Sequence, residues 1–389
     1  MTRRPTVLHL VDDTTAGGVM RVVDFLVTSG DLQAQARHVT QQVARGRIRP
    51  ARLKADVIVS HLTLNWRGMP GLAALRAVNL RTPMIHVEHS YTAGFVTHNV
   101  SCPGRFLAML RLGFANFDKV VAVSAAQAKW IDENALCPAD KITVIPSCVD
   151  LQAFRAVPGH AGPVRVFGAI GRLDRQKGFD TLIAAFRTLS SPDMALHIYG
   201  QGDEEASLRR LASDDPRIHF KGFSAAPTLA FAAVDAVIMP SRWEAYGLVA
   251  IEALSAGRSV ICADVDGLND HSAHGGMVVP LGTKSEICHA LSRVMTRGTG
   301  LVAQNRSVRV LEDAFLQSWS DLIAHQGASH RWSARDTGLH KADFGGKLSE
   351  SVLCRSCRPS LQGDQCRLQR TTPKPVVFWK GYASAVNVY

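Results

Sequence analysis

The stretch Asp235–Ala263, DAVIMPSRWEAYGLVAIEALSAGRSVICA, decides the fold. Its first apolar run stops at Pro240, which has no amide to donate to a continuing ladder. A second apolar run, RSVICA, follows Gly257. Between them GLVAIEALSAG has helix length and closes on Gly257 as a helix closes on a left-handed glycine. Short buried strands joined by helices make a parallel sheet covered on both faces. The same alternation fills the chain, with TVLHLV, ADVIVS, PMIHVEH, KVVAVS and KITVIP in the first part and VRVFGAIG, ALHIYG, RIHFKG, DAVIMP and RSVICA in the second. Two such series predict an α/β protein of two doubly wound domains with a ligand cleft between them, since such sheets bind beyond the carboxyl ends of their strands. Pro and Gly cluster in SCVDLQAFRAVPGHAGPVRV, which sets the boundary at Gly162. The expected units are 1–161, 162–325 and a basic, poorly ordered tail, 326–389.

A length of 389 residues suits two domains, and 46% hydrophobic with 20% charged residues is the composition of an ordered globular protein. The net charge of +11 is uneven: from Ser329 onward ten Lys and Arg face four Asp and Glu. The body is therefore only mildly basic, and no nucleic-acid partner is expected. Arg45, Arg47, Arg49, Arg52 and Lys54 in ARGRIRPARLK fit either a solvated loop or a footprint for anionic lipid or an acidic acceptor. No apolar run reaches the roughly 18 residues of a spanning helix, and the apolar part of MTRRPTVLHLVDDTT is too short for a signal peptide. A cytoplasmic setting is expected, with at most a peripheral place at the inner face of the membrane, and the eight cysteines reduced. CRSC (Cys354, Cys357) with Cys366 lacks a fourth ligand at zinc spacing, so no metal is expected.

The chemistry begins with two acids. Glu244 falls on the loop after DAVIMP and Glu252 about two turns into an otherwise apolar helix. A buried carboxylate needs donors: a neighbouring cation supplies them in one reading, ligand hydroxyls in the other. The amides of Tyr246, Gly247 and Leu248 point out of the helix start, where phosphate is favoured. A nucleotide sugar reconciles acids with phosphate, because its polyols meet the acids and its phosphates the amides. In GAIGRLDRQKGFDTLIAAF, Arg172 and Lys177 sit on a strand-to-helix loop between Gly171 and Gly178, placed to neutralise a diphosphate leaving group. In IYGQGDEE, Gly200 and Gly202 allow close approach of a base or ribose.

The combination GRLDRQKG, IYGQGDEE and EAYGLVAIEALSAG resembles the retaining glycosyltransferases of family 4, over about Thr6 to His325 and most strongly from Val164 to Gly257. That resemblance implies the GT-B fold of two facing Rossmann-like domains, a nucleotide diphosphate sugar donor, a glycan or lipid-linked acceptor, and no cofactor or metal. It makes Glu244 and Glu252 the EX7E pair, with Glu244 beside the transferred sugar and Glu252 on the ribose. Arg172 and Lys177 take the diphosphate, Gly17 and Gly18 in TTAGGVMR form a glycine loop over the reaction centre, and His89 in IHVEHSY contacts the sugar. His61 also ends a strand and is the second candidate, His89 being preferred; Ser124 needs only a helix N-cap role. GRFLAMLRLGFANF fits a bilayer-facing helix or a buried packing helix. Ser147 and Cys148 replace an Asn-Gly pair frequent in the family, Ala245 replaces a proline, and Asp270 replaces a glutamate.

The expected activity is transfer of a hexosyl unit from a UDP- or GDP-linked sugar to a hydroxyl, with retention. A GT-B sugar-nucleotide epimerase and a noncatalytic nucleotide-sugar-binding protein are the alternatives, and turnover with an acceptor separates the three.

Overall fold

The computed structural model describes residues 4–14, 17–160, 162–297 and 310–336. Each apolar run named above becomes a strand: β1 (Thr6–Val11), β3 (Val57–Ser60), β4 (Met84–Glu88), β5 (Lys119–Ala122), β6 (Ile142–Val144), β7 (Val166–Ile170), β8 (Ala195–Tyr199), β9 (Ile218–Gly222), β10 (Ala236–Met239) and β11 (Ser259–Ala263). Two further strands are β2 (Arg37–Gln42), whose RHVTQQ holds no continuous apolar run, and β12 (Met277–Val279), a run of only three apolar residues. Both are edge strands, so β2 needs only one buried position, His38, among exposed neighbours.

The strand orders are β2-β1-β3-β4-β5-β6 and β12-β11-β10-β7-β8-β9, with parallel pairing throughout. The second order is that of a dinucleotide-binding sheet, in which the strand order reverses between β7 and β10. Ligands of such sheets enter at that switch point, where flanking loops diverge and leave a crevice. The loop after β7 holds GRLDRQKG and the loop after β10 holds SRWEAYG. In the first sheet the corresponding divergence lies between β1 and β3.

An apolar cluster runs from Val7, Val59 and Val87 of the first sheet through Val149, Leu151 and Phe154 of the connection into the second sheet. The helix Leu311–Asp336 returns to the first domain: Phe315 stacks on Phe25 at 5.7 Å, and Glu312 accepts from the Leu151 amide at 2.7 Å and pairs with Arg155. Phe315 and Trp319 are buried in its early turns, and the helix runs on past residue 325, where the sequence pattern places the start of a tail, as far as Asp336. The CRSC cysteines lie outside the described residues. The helix Pro103–Phe114 buries Met109, Leu110, Gly113 and Phe114 in the first domain, which makes it a packing helix, with Leu112 turned outward.

Candidate active site

Pro240 ends β10 as read, and the chain turns at Gly247 (φ +92°) into the helix Leu248–Ser255. A Cβ at Gly247 would stand 2.6 Å from Leu268, so only glycine allows this sharp a loop-to-helix turn. Gly257 (φ +67°) closes the helix, its amide bonding Leu254 O while Arg258 bonds Ala253 O, the paired bonds of a Schellman end. Glu244 stays on the loop and Glu252 is fully buried in the helix.

The loop after β7 folds onto this one. Gly178 (φ +67°) presses against Pro240 O, which a Cβ would meet at 2.2 Å, and Gln176 donates to Trp243 O at 2.9 Å. Lys177 runs back over Gly171 and reaches Glu244, Nζ to Oε2 2.5 Å, with both side chains 14% exposed. Arg172 sits at the start of the same loop, 2.8 Å from Gln176 Oε1 and 3.1 Å from Asp174 Oδ2. Arg172, Lys177 and Glu244 are thereby gathered at the β7/β10 switch point.

Across the cleft, Gly18 opens the helix Gly18–Thr28, with Gly17 as its N-cap residue. A Cβ on Gly18 would lie 3.4 Å from Leu248 of the second domain. One turn on, Arg21 Nη1 stands 2.6 Å from Glu252 Oε1, an ion pair across the domain gap. Burial pushes the Glu252 carboxyl pKa up, and the Arg21 guanidinium offsets part of that. A cavity of about 400 Å³ lies beside Arg21, lined by it and by Asp24, Phe25, Thr28, Val149 and Asp150.

The domains are joined directly. Asp266 accepts from Thr92 Oγ1 at 2.7 Å and from the Gly94 amide at 3.0 Å, and Asp270 accepts from the Ala125 amide at 2.6 Å, at the start of the helix Ala125–Glu133. Trp243 stacks on His98 at 5.4 Å.

Two family models match this chain: "Glycosyltransferase Family 4" over residues 17–153 and "Glycosyl transferases group 1" over residues 164–297. The chain belongs to the group 1 glycosyltransferases. A D-inositol 3-phosphate glycosyltransferase of Jonesia denitrificans is 33% identical over 287 residues, 64% of this chain and 66% of that relative's length. A phosphatidyl-myo-inositol mannosyltransferase of Mycolicibacterium smegmatis is 27% identical over 296 residues, 71% of this chain and 73% of the relative. Anabaena HepE, solved with UDP and glucose, superposes with a TM-score of 0.63 at 17% identity, covering 82% of this chain and 99% of that one. The fold is GT-B.

Within this glycosyltransferase two readings of the sequence change. Glu252 has a protein partner, Arg21, so the cation reading of its environment is realised across the domain gap. Gly200 and Gly202 are demanded by the adjacent loop: a Cβ at Gly200 (φ +137°) would fall 1.8 Å from Gly171 O, and one at Gly202 2.4 Å from Leu173 O. The space their missing side chains leave is filled by backbone, which aligns the β8 loop with GRLDRQKG through Leu173 N to Gln201 O at 2.9 Å. The Tyr246 side chain is buried against His271, ring centroids 4.7 Å apart, so its backbone is what borders the loop. Ser124 caps its helix, accepting from the Gln127 amide at 3.1 Å.

His89 follows β4 and bonds to His61, Nε2 to Nδ1 2.9 Å. The two histidines weighed against each other in the sequence are thus partners. His86 points the other way, between Phe114 and Phe117, as strand alternation requires. Sequence reasoning missed Arg21 and Asp266. Arg21 follows the glycine pair by one helical turn, a spacing that marks it as cleft-facing; Asp266 carries no signal in the sequence.

Proposed function

We propose that this glycosyltransferase moves a hexosyl unit from a nucleoside diphosphate sugar to a hydroxyl of a glycan or lipid-linked acceptor, with retention at the anomeric carbon. The observation that carries this is the Lys177–Glu244 contact beside Arg172 at the switch point of the second sheet. One cation for a departing diphosphate and one acid for the sugar stand within hydrogen-bonding distance of each other. The UDP and glucose held by HepE support the same donor class, and the inositol-bearing acceptors in the relatives' names make inositol phosphates and phosphatidylinositol the first acceptors to try.

In this reading Arg172, Lys177 and the amides around Gly247 take up the charge that grows on the leaving diphosphate, which lowers the barrier because these groups are already oriented. Lys177 exchanges Glu244 for phosphate when donor binds, freeing Glu244 for the sugar. Glu252 holds the ribose hydroxyls, with Arg21 beside it offsetting part of the cost of its burial. His89 orients the sugar. The anomeric carbon loses its bond to the diphosphate oxygen and gains one to the acceptor oxygen on the same face, and the acceptor proton passes to the departing phosphate. No metal enters this scheme. Among the described residues no helix is long and apolar enough to cross a membrane; exposed Arg47, Arg49, Arg52 and Lys54 supply a peripheral contact for an anionic lipid surface.

The test supplies UDP- and GDP-sugars with inositol 3-phosphate, phosphatidylinositol vesicles or lipid extract, and follows nucleotide release together with the fate of the sugar. Glycosylated acceptor with the α or β configuration of the donor is expected. An epimerised sugar with no acceptor product, or tight donor binding without turnover, overturns the proposal.

A further inference from the structure

The first domain contains a file of four histidines that the reaction scheme above uses only at its end. His38 Nδ1 lies 3.0 Å from His9 Nε2, His9 Nδ1 lies 3.0 Å from His61 Nε2, and His61 Nδ1 lies 2.9 Å from His89 Nε2. Ring centroids are 5.2–5.3 Å apart with planes within 28° of each other. Nitrogen contacts of that length at that separation put the rings edge to edge.

Strand register explains the file. The order β2-β1-β3-β4 places the four contributing segments side by side. His38 is level with Val7, two residues before His9; His9 is level with Val59, two residues before His61; Ser60 pairs with His86, so His61 falls level with Val87, two residues before His89. A step of two keeps every ring on one face of the sheet. The file therefore climbs diagonally from the outer edge strand to the carboxyl edge, where the cleft lies. This is also the face of Val7, Val59 and Val87, and His9, His38 and His61 are at most 6% exposed.

These rings do not surround a common point. His9 spends its two nitrogens on opposite neighbours, as does His61, whereas metal ligands converge; no metal-binding group of His, Cys, Asp and Glu exists among the described residues. What the arrangement does constrain is protons. Burial keeps the rings neutral, with His9 lowered to about 3 and His38 and His89 to about 4. A neutral imidazole has one donor and one acceptor nitrogen. Three bonds in series then allow only two registers: every proton points toward His89, or every proton points toward His38. In the first, His89 presents Nδ1–H; in the second, it presents a bare Nδ1 lone pair.

We propose that His38, His9 and His61 are positioning residues that fix which tautomer His89 presents to the cleft. Switching register moves a proton in at one end and one out at the other: uptake at His89 Nδ1 passes its Nε2 proton to His61, then His9, then His38, whose Nε2 proton leaves. Every ring begins and ends neutral, so neither register holds a buried charge. The proposal rests on His89 serving the transfer reaction.

The first test is independent of that reaction. Ring-nitrogen NMR on histidine-labelled, unmutated protein at neutral pH should show His61 and His89 each as a single neutral tautomer of matching register. An imidazolium, or a mixture of tautomers at His89, overturns the proposal. His9→Phe keeps an aromatic ring and severs the file; it should scramble the His89 tautomer and lower kcat about a hundredfold while the KM for the donor sugar stays within about twofold. His38→Ala, on the edge strand, is the second variant if His9→Phe does not fold. An unchanged His89 tautomer in either variant, or unchanged kcat with the tautomer scrambled, sinks the positioning role. Should none of the UDP- or GDP-sugars give turnover, the functional reading fails while the NMR result still decides the file.

Discussion

Glu252 illustrates how much a single buried charge commits. It is wholly enclosed, with Arg21 as its ion-pair partner, and removing one member of such a pair costs more than replacing both. Arg21→Ala should destabilise the protein by about 3 kcal/mol, read by urea denaturation, and Glu252→Gln in the same chain should recover part of that loss. If the double variant is as unstable as Arg21→Ala alone, the pair is not what holds the carboxylate. Lys177→Ala should slow transfer by about 10²–10³-fold, the usual cost of deleting one charge-stabilising donor, and near-normal kinetics would remove Lys177 from the diphosphate. Gly200→Ala separates two meanings of a glycine. With Gly171 O at 1.8 Å from the added carbon, it should cost more than about 2 kcal/mol of stability, whereas a glycine kept only for a ligand would lose affinity and no stability.

Strands and helices set the second scale, and here the histidine file has a consequence for pH. Folded-state values of about 3 for His9 and about 4 for His38, His89 and His271 all lie below 6.5, with burial the main cause. The unfolded chain then takes up protons first as pH falls. Stability should be fully present above about pH 6.5 and lost progressively toward pH 4, by up to about 1.4 kcal/mol per pH unit for each histidine. Thermal melts across that window check the sign; a melting temperature flat between pH 6.5 and 5 would mean the rings are not neutral in the fold. The apolar strands β3, β4, β5, β7, β10 and β11 were readable because both faces of each are covered, so nearly every residue is apolar. Edge strand β2 was not readable: one face and one rim meet solvent, and RHVTQQ looks like a loop until its neighbour is known.

At the scale of the whole molecule, the two domains meet through a few acids. Asp266 holds Thr92 and Gly94, and Asp270 holds the start of the helix Ala125–Glu133. Each bond joins one domain to the other, so losing one changes domain separation more than the stability of either domain. Asp266→Asn keeps a residue tolerant of its left-handed backbone and weakens both contacts. Small-angle scattering should give a larger radius of gyration than the parent in the absence of nucleotide, with the melting temperature shifted by less than about 3 °C. An unchanged radius would mean that the apolar cluster through Val149, Leu151 and Phe154 holds the closed form by itself.

The amino-acid order alone carried the two series of strands and helices and the placing of Arg172, Lys177 and Glu244 on the loops after β7 and β10, because hydrophobic period and turn chemistry are local properties. It did not reveal that Arg21 meets Glu252, that Gly200 is claimed by Gly171, or that His38, His9, His61 and His89 touch in series. Those partners are distant in sequence and adjacent only through strand register and domain docking, and the free energy of a buried charge or imidazole depends on the neighbours that folding brings to it.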